Sequence, residues 1–167
     1  MRTFHISLRY RPWLGWICIV LGLVIFVASF TLPGDRPPSL TRARVDVHGT
    51  RFDVDVASTP EARATGLMGR AELPPGAGMV FIYPDAQPRE FWMKHTRMPL
   101  DMLFFDAQHR LVHLWLDVPP CVKDPCPPYP SRAPAQFVLE VAGGTARAIG
   151  VRLGDRMSMP STPSSSP

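Results

Sequence analysis

Val45-Asp46-Val47-His48-Gly49-Thr50-Arg51-Phe52-Asp53-Val54-Asp55-Val56 alternates apolar and polar residues on both sides of a Gly-containing turn. Side chains in a strand alternate between faces, so Val45 and Val47 share one face, as do Phe52, Val54 and Val56. The aspartates fall on the other. This pattern predicts a β-hairpin with one wet face.

Working outward, Ser58-Thr59-Pro60-Glu61 carries helix-start signals: a hydroxyl cap, an early proline, and a glutamate three residues after Ser58. A short helix is expected to about Met68, ended by Gly69. Leu73 to Gly78 reads as a loop, and Met79 to Tyr83 as a buried strand. Pro84 to Pro88 reads as a turn. Further strands are expected at Met102–Asp106, Arg110–Val118, Phe137–Val141 and Arg156–Met159, with a short helix at Gly143–Ile149. In Arg110–Val118, Val112, Leu114, Leu116 and Val118 alternate with Leu111, His113, Trp115 and Asp117. The fold class is α+β, mainly antiparallel β: a compact curled sheet or partly closed barrel with one or two short helices.

Outside this domain the chain changes character. Residues 13–32, WLGWICIVLGLVIFVASFTL, carry no charge. At about 1.5 Å per helical residue they span roughly 30 Å, a bilayer's hydrocarbon thickness. Arg2, Arg9 and Arg11 precede the run, which places residues 1–12 in the cytoplasm and the rest of the chain outside. A signal peptide with a weak cleavage site at Val27-Ala28-Ser29 is the alternative, and it exports the same domain. Residues 33–42 form a Pro-rich linker, 43–159 the folded domain, and 160–167 (PSTPSSSP) a disordered tail. The expected setting is the bacterial inner membrane, with the C-terminal domain periplasmic.

The formal charge of +4 is mostly a topology signal. From Pro33 onward, 15 of the 18 basic residues face 14 acidic ones, a net of +1. A nucleic-acid partner is not expected. Cys121 and Cys126, CxxxxC in a Pro-rich loop, suit a disulfide in an oxidising compartment. A redox pair usually reads CxxC, and a metal site would need two more ligands nearby. His48, His95, His109 and His113 form no metal pattern, and no metal or cofactor is expected.

The candidate site begins at Phe91-Trp92-Met93-Lys94-His95-Thr96-Arg97-Met98-Pro99-Leu100-Asp101. Alternation puts Phe91, Met93 and His95 toward the core and Trp92, Lys94 and Thr96 toward a groove. A Trp beside a Lys offers an aromatic platform and a cation for a sugar, a carboxylate or a peptide end. The plainer reading is a Trp covering a rim with a Lys snorkelling past it. Asp101 is either a buried acid paired with a cation or, more commonly, an acceptor for backbone N–H groups. Glu140, in Phe137-Val138-Leu139-Glu140-Val141, lies opposite the apolar set. If that face is also covered, Glu140 is a buried carboxylate in need of a partner, and Arg63 and Lys94 are the available cations. Such a pair is more often architectural than catalytic. Arg70 joins Arg63 as a further source of charge at the groove.

These strings come in a recognisable order: Gly66-Leu67-Met68-Gly69-Arg70, Gly78-Met79-Val80-Phe81, Phe91-Trp92-Met93-Lys94-His95-Thr96, Pro99-Leu100-Asp101, Pro120-Cys121 with Cys126-Pro127 and Tyr129, Val138-Leu139-Glu140-Val141, and Gly154-Asp155. In this the sequence resembles the DUF192 family, also called UPF0127. One departure is His95, where the family pattern has Asn. The resemblance implies a compact β-rich domain, often exported behind a signal or anchor. It implies no activity and carries over no catalytic residue.

Three functions follow from the residues. The leading one is a membrane-anchored envelope module binding a ligand or partner through Trp92, Lys94, Thr96, Asp101 and Glu140. The second is an envelope hydrolase or transferase using Glu140 or Asp101 as acid–base. It calls for a carboxyl with a raised pKa in a concave pocket. The third is an assembly scaffold without a small-molecule site.

Overall fold

The computed structural model describes residues 40–159. The apolar run at 13–32, most of the linker and the tail at 160–167 lie outside the described residues. Among the described residues, no helix is long and apolar enough to cross a membrane.

The expected hairpin forms as β1 (Thr41–Val47) and β2 (Thr50–Ala57), with Val45 opposite Phe52 and Val47 opposite Thr50. His48 and Gly49 connect them with φ of 50° and 76°. Positive φ at both positions matches the twist of the flanking strands. The chain continues through α1 (Pro60–Thr65), β3 (Ala77–Phe91), β4 (Leu100–Phe105), β5 (Leu111–Val118), β6 (Tyr129–Ala142), α2 (Thr145–Ile149) and β7 (Met157–Ser158).

All seven strands join one sheet in the order β5-β4-β6-β3-β2-β1-β7. The sheet curls into a half-barrel. At one end its edges meet: β7 pairs with β1, and the same segment reaches the start of β5. There Leu111 N–H donates to the Asp155 carbonyl (2.8 Å) and Met157 N–H to that of His109 (2.9 Å).

Pairing is antiparallel except between β2 and β3, which run parallel from Asp53↔Ala77 to Ala57↔Phe81. Parallel neighbours need a crossover connection, and α1 with the loop after it supplies one. Thr59 caps α1, accepting from Ala62 N–H at 3.2 Å, and Pro60 opens it. The helix is shorter than expected because Gly66, not Gly69, ends it, at φ 50°, ψ −135°, a conformation open mainly to glycine.

Two strands run longer than the sequence suggests. β3 continues through the expected Pro84–Pro88 turn, and β6 begins at Tyr129 rather than Phe137. Their outer halves pair with each other: Pro88 faces Pro134 and Glu90 faces Pro130, with register shifts on either side. Such irregular pairing tolerates residues that cannot donate to the ladder.

The sheet is apolar on both faces. One face carries Val45, Val47, Val80, Leu103, Leu139 and Val141. The other carries Met79, Phe81, Phe91, Met102, Phe104 and Val138, covered by Leu67, Met93 and Met98 from the connecting segments. This double burial explains the unbroken apolar run Met102–Phe105 in β4. In β5 simple alternation fails: Asp117 adopts φ 50°, and Trp115 and Val118 pack on the same cluster. Gly78 pairs with Val141 where β3 lies against β6. A Cβ there would stand 2.6 Å from the Glu140 carbonyl oxygen, so no larger residue fits without displacing a strand.

Candidate functional site

Glu140 projects from the C-terminal part of β6 onto the face that carries the Met and Phe cluster. Its strand neighbours are Met79 on β3 and Met102 on β4. The residue is 4 % exposed. No hydrogen bond or ion pair reaches its carboxyl group from the described residues. Burial pushes its pKa up to about 8, so at neutral pH the group carries its proton. The expected ion pair with Arg63 or Lys94 does not form.

Above Glu140 lies a cavity of about 70 Å³. Residues 63–68 form one wall, and Phe81, Tyr83 and Glu90–Trp92 of the β3 side form another. Lys94, Thr96 and Glu140 complete it. Thr96 is buried, and its hydroxyl also lacks a protein partner among the described residues. Arg63 donates through Nη1 to the carbonyls of Ser58 (2.6 Å) and Ile82 (2.9 Å). Its guanidinium carbon lies 4.8 Å from the centre of the Tyr83 ring. Arg89 lies on the same ring at 4.0 Å. Burial raises the Tyr83 pKa against the pull of Arg89 and Arg63, and Glu140 raises it further. At the rim, Lys94 Nζ is 2.9 Å from Asp124 Oδ2 and 5.9 Å from the Trp92 ring centre.

Among the groove candidates, Arg63, Trp92, Lys94, Thr96 and Glu140 line this cavity; Asp101 and Arg70 do not. Asp101 pairs with Val141 while its neighbour Met102 pairs with Glu140. Successive strand residues face opposite sides, so the two carboxylates are on opposite faces of the sheet. An acid–base pair of Glu140 with Asp101 is therefore ruled out. Asp101 accepts three backbone N–H bonds, from Asp117 (2.7 Å), Gly144 (3.1 Å) and Ala146 (2.7 Å).

Arg70 lines a second, larger cavity of about 310 Å³ with Arg42, Asp53, Asp55 and Glu72. Size alone would favour it, but its principal charges neutralise one another. Asp55 holds Arg70 at 2.6 Å and Arg42 at 3.5 Å, and Asp53 holds Arg44 at 3.2 Å. The smaller cavity is the one lined by Thr96 and Glu140, mostly buried residues whose side chains make no hydrogen bond to the described residues.

His95 also departs from expectation. It is exposed, at φ 55°, because Thr96 N–H turns back to the Met93 carbonyl at 3.0 Å. Asn and His both tolerate the left-handed region better than most residues. The position is thus set by the backbone turn, and the exchange of Asn for His fits it. Cys121 and Cys126 form the expected disulfide. The adjacent loop is tied to the site segment by a bridge between Cys121 and Lys94.

Sequence reading missed Tyr83 and Glu90. Tyr83 was detectable: it shares strand parity with Phe81, and a phenol among apolar residues needs a polar outlet. His113 Nε2 is the one fully buried side-chain polar atom without a partner among the described residues. It packs near Phe104 and Trp115, away from the cavity. Burial, and secondarily Arg132, lowers its pKa.

The fold and site define a curled β half-barrel holding a protonated acid beneath a small polar cavity. The chain belongs to the DUF192 family, described as uncharacterized ACR, whose profile matches residues 43–159. A protein provisionally assigned as a transcription regulator from Sinorhizobium meliloti 1021 has a similar crystal structure. It is 32% identical, with a TM-score of 0.67 over 72% of this chain and 95% of that one. A protein of unknown function from Novosphingobium aromaticivorans DSM 12444 is 31% identical, with a TM-score of 0.68 over 79% of this chain and 96% of its own. No curated protein matches the sequence.

Proposed function

We propose that the chain is a membrane-anchored, exported DUF192 domain that binds a small polar ligand in the cavity above Glu140. One observation carries the binding reading. Glu140 and Thr96 are both almost fully buried, both lack protein partners among the described residues, and both face the same cavity. Their oxygens open onto the cavity and are not sealed in the core, because His113 Nε2 alone among the described residues is a fully buried side-chain polar atom without a partner. Polar groups that face a small cavity and make no bond to the protein are free to bond a ligand there.

Export is supported by the apolar run at 13–32 behind three arginines and by a disulfide in a small loop. A periplasm-dependent reporter fused after Pro167 should be active, and a cytoplasm-dependent one silent; the reverse result removes the envelope from the proposal. The regulator assignment of the Sinorhizobium protein is not adopted, because the domain's charge balance of +1 suits nucleic acid poorly.

The binding reading is tested by thermal shift of the full chain against sugars, amino acids, peptides and metal ions. Backbone-amide NMR would map any hit. A true ligand at a hundred times its Kd adds about 2.7 kcal/mol, and its shifts should centre on Arg63, Trp92, Thr96 and Glu140. Unchanged melting across the panel, or shifts confined elsewhere, would leave the scaffold reading in front.

A second reading is favoured by the raised Glu140 pKa in a concave site. A carboxyl titrating at about 8 suits a general acid near neutral pH. It makes the protein an envelope hydrolase or transferase with Glu140 as its acid–base residue. Turnover of a cavity ligand, lost in Glu140→Gln, distinguishes it from a binding module.

A further inference from the structure

We infer that the cavity above Glu140 receives a carboxylate: the free end of a peptide chain or a small organic acid, held by the Arg63 guanidinium, the Thr96 hydroxyl and the Glu140 carboxyl. This rests on the binding role proposed above and names its ligand class.

Size is the first constraint. A space of about 70 Å³ opening at the rim suits a terminal group that reaches in while the rest of its molecule stays outside. Donor chemistry is the second. Thr96 offers an O–H, Arg63 offers N–H groups, and Lys94 offers an ammonium at the rim. Glu140, protonated at neutral pH, adds a fourth donor. A group that only accepts hydrogen bonds matches this set, and a carboxylate does so with two oxygens. A carboxylic acid kept neutral by an apolar site can donate to an anionic oxygen; an ionised one would repel it.

Charge is the third constraint. The titratable and charged groups lining the cavity are Arg63, Tyr83, Glu90, Lys94 and Glu140. Lys94 is already offset by Asp124. Arg63 is not offset: its two bonds go to neutral carbonyls. Glu90 is exposed at the β3 end, outside the buried part of the site. The interior therefore presents one uncompensated cation beside neutral donors. Trp92, 55 % exposed on the rim, offers an apolar face to whatever follows the carboxylate.

The test is isothermal titration of the full chain with four probes: trialanine with a free C-terminus, the same peptide amidated, propionate, and inorganic phosphate. The free peptide acid should bind at least tenfold more tightly than its amide at pH 7. Propionate binding as tightly as the peptide identifies a small acid as the source, and much weaker binding identifies a chain end. Affinity should fall as pH rises through 8, as Glu140 ionises beside the ligand. Glu140→Gln should abolish that fall, whereas Glu140→Leu and Arg63→Gln should each weaken binding at least tenfold. Equal binding of acid and amide, or of propionate and phosphate, overturns the carboxylate inference while leaving a cavity ligand of another class in place. If none of the four probes binds and the thermal-shift panel is also silent, both readings fall.

Discussion

Asp101→Ala should destabilise the domain by about 3–5 kcal/mol, read as a lowered midpoint in urea unfolding with an unchanged slope. Asp101 is fully buried, and its two oxygens accept from three backbone N–H groups. Those donors belong to three places. Asp117 N–H lies where β5 leaves regular geometry at φ 50°. Gly144 is the N-cap of α2 and has no side chain with which to cap it. Ala146, in the first turn of the helix, is buried. Asp101 thus serves as a cap supplied from β4, tying the strand to both neighbours. Alanine would leave three donors without an acceptor, and an unsatisfied buried group costs about 1–3 kcal/mol. Asp101→Asn keeps an acceptor oxygen and should lose less. Because Asp101 lies on the far face from the cavity, ligand affinity in a folded Asp101→Asn protein should be unchanged. A loss below 1 kcal/mol in Asp101→Ala would contradict this account.

The cap was one of two roles the sequence allowed for Asp101. What sequence could not provide was the register of β4 against β6, which sends Asp101 and Glu140 to opposite faces. Register depends on long-range pairing, and a single residue's slip exchanges the faces. The hairpin was legible because its alternation is local and its turn short. The burial of Glu140 was legible for a similar reason, since apolar residues surround it on both sides in sequence. The outer halves of β3 and β6 were hidden by their prolines, which mark turns locally but here sit in irregular pairing. The parallel joining of β2 to β3 was also hidden, because no local signal distinguishes a crossover from a return. His95 was assigned to the core by extending alternation across a segment where the chain in fact turns. For the site itself, Trp92, Lys94 and Thr96 were legible as a set, whereas the absence of an Arg63–Glu140 pair depends on Arg63 being occupied by two carbonyls.

Stability should fall steeply as pH rises from about 5 to 9, and Glu140→Gln should remove most of that fall. Burial in the Met and Phe cluster raises the Glu140 pKa from its ordinary 4.5 to about 8 in the folded chain. In the unfolded chain the group has its ordinary value. Below pH 4.5 both states hold the proton, and Glu140 contributes nothing to the pH dependence. Between 4.5 and 8 the folded state holds a proton that the unfolded state has released, so each rise in pH favours unfolding. Above 8 both states are ionised and the cost is complete. At 1.36 kcal/mol per pH unit, that interval amounts to about 5 kcal/mol. This is a large share of the 5–15 kcal/mol typical of a whole domain. Glutamine keeps the shape of the protonated acid and cannot ionise, so the variant should match the natural chain near pH 5 and exceed it at pH 9. The difference between the two unfolding curves isolates Glu140 from every other titrating group. Parallel curves across this range would mean that the carboxyl finds a cation or water in the folded state, and would remove the neutral donor on which carboxylate recognition depends.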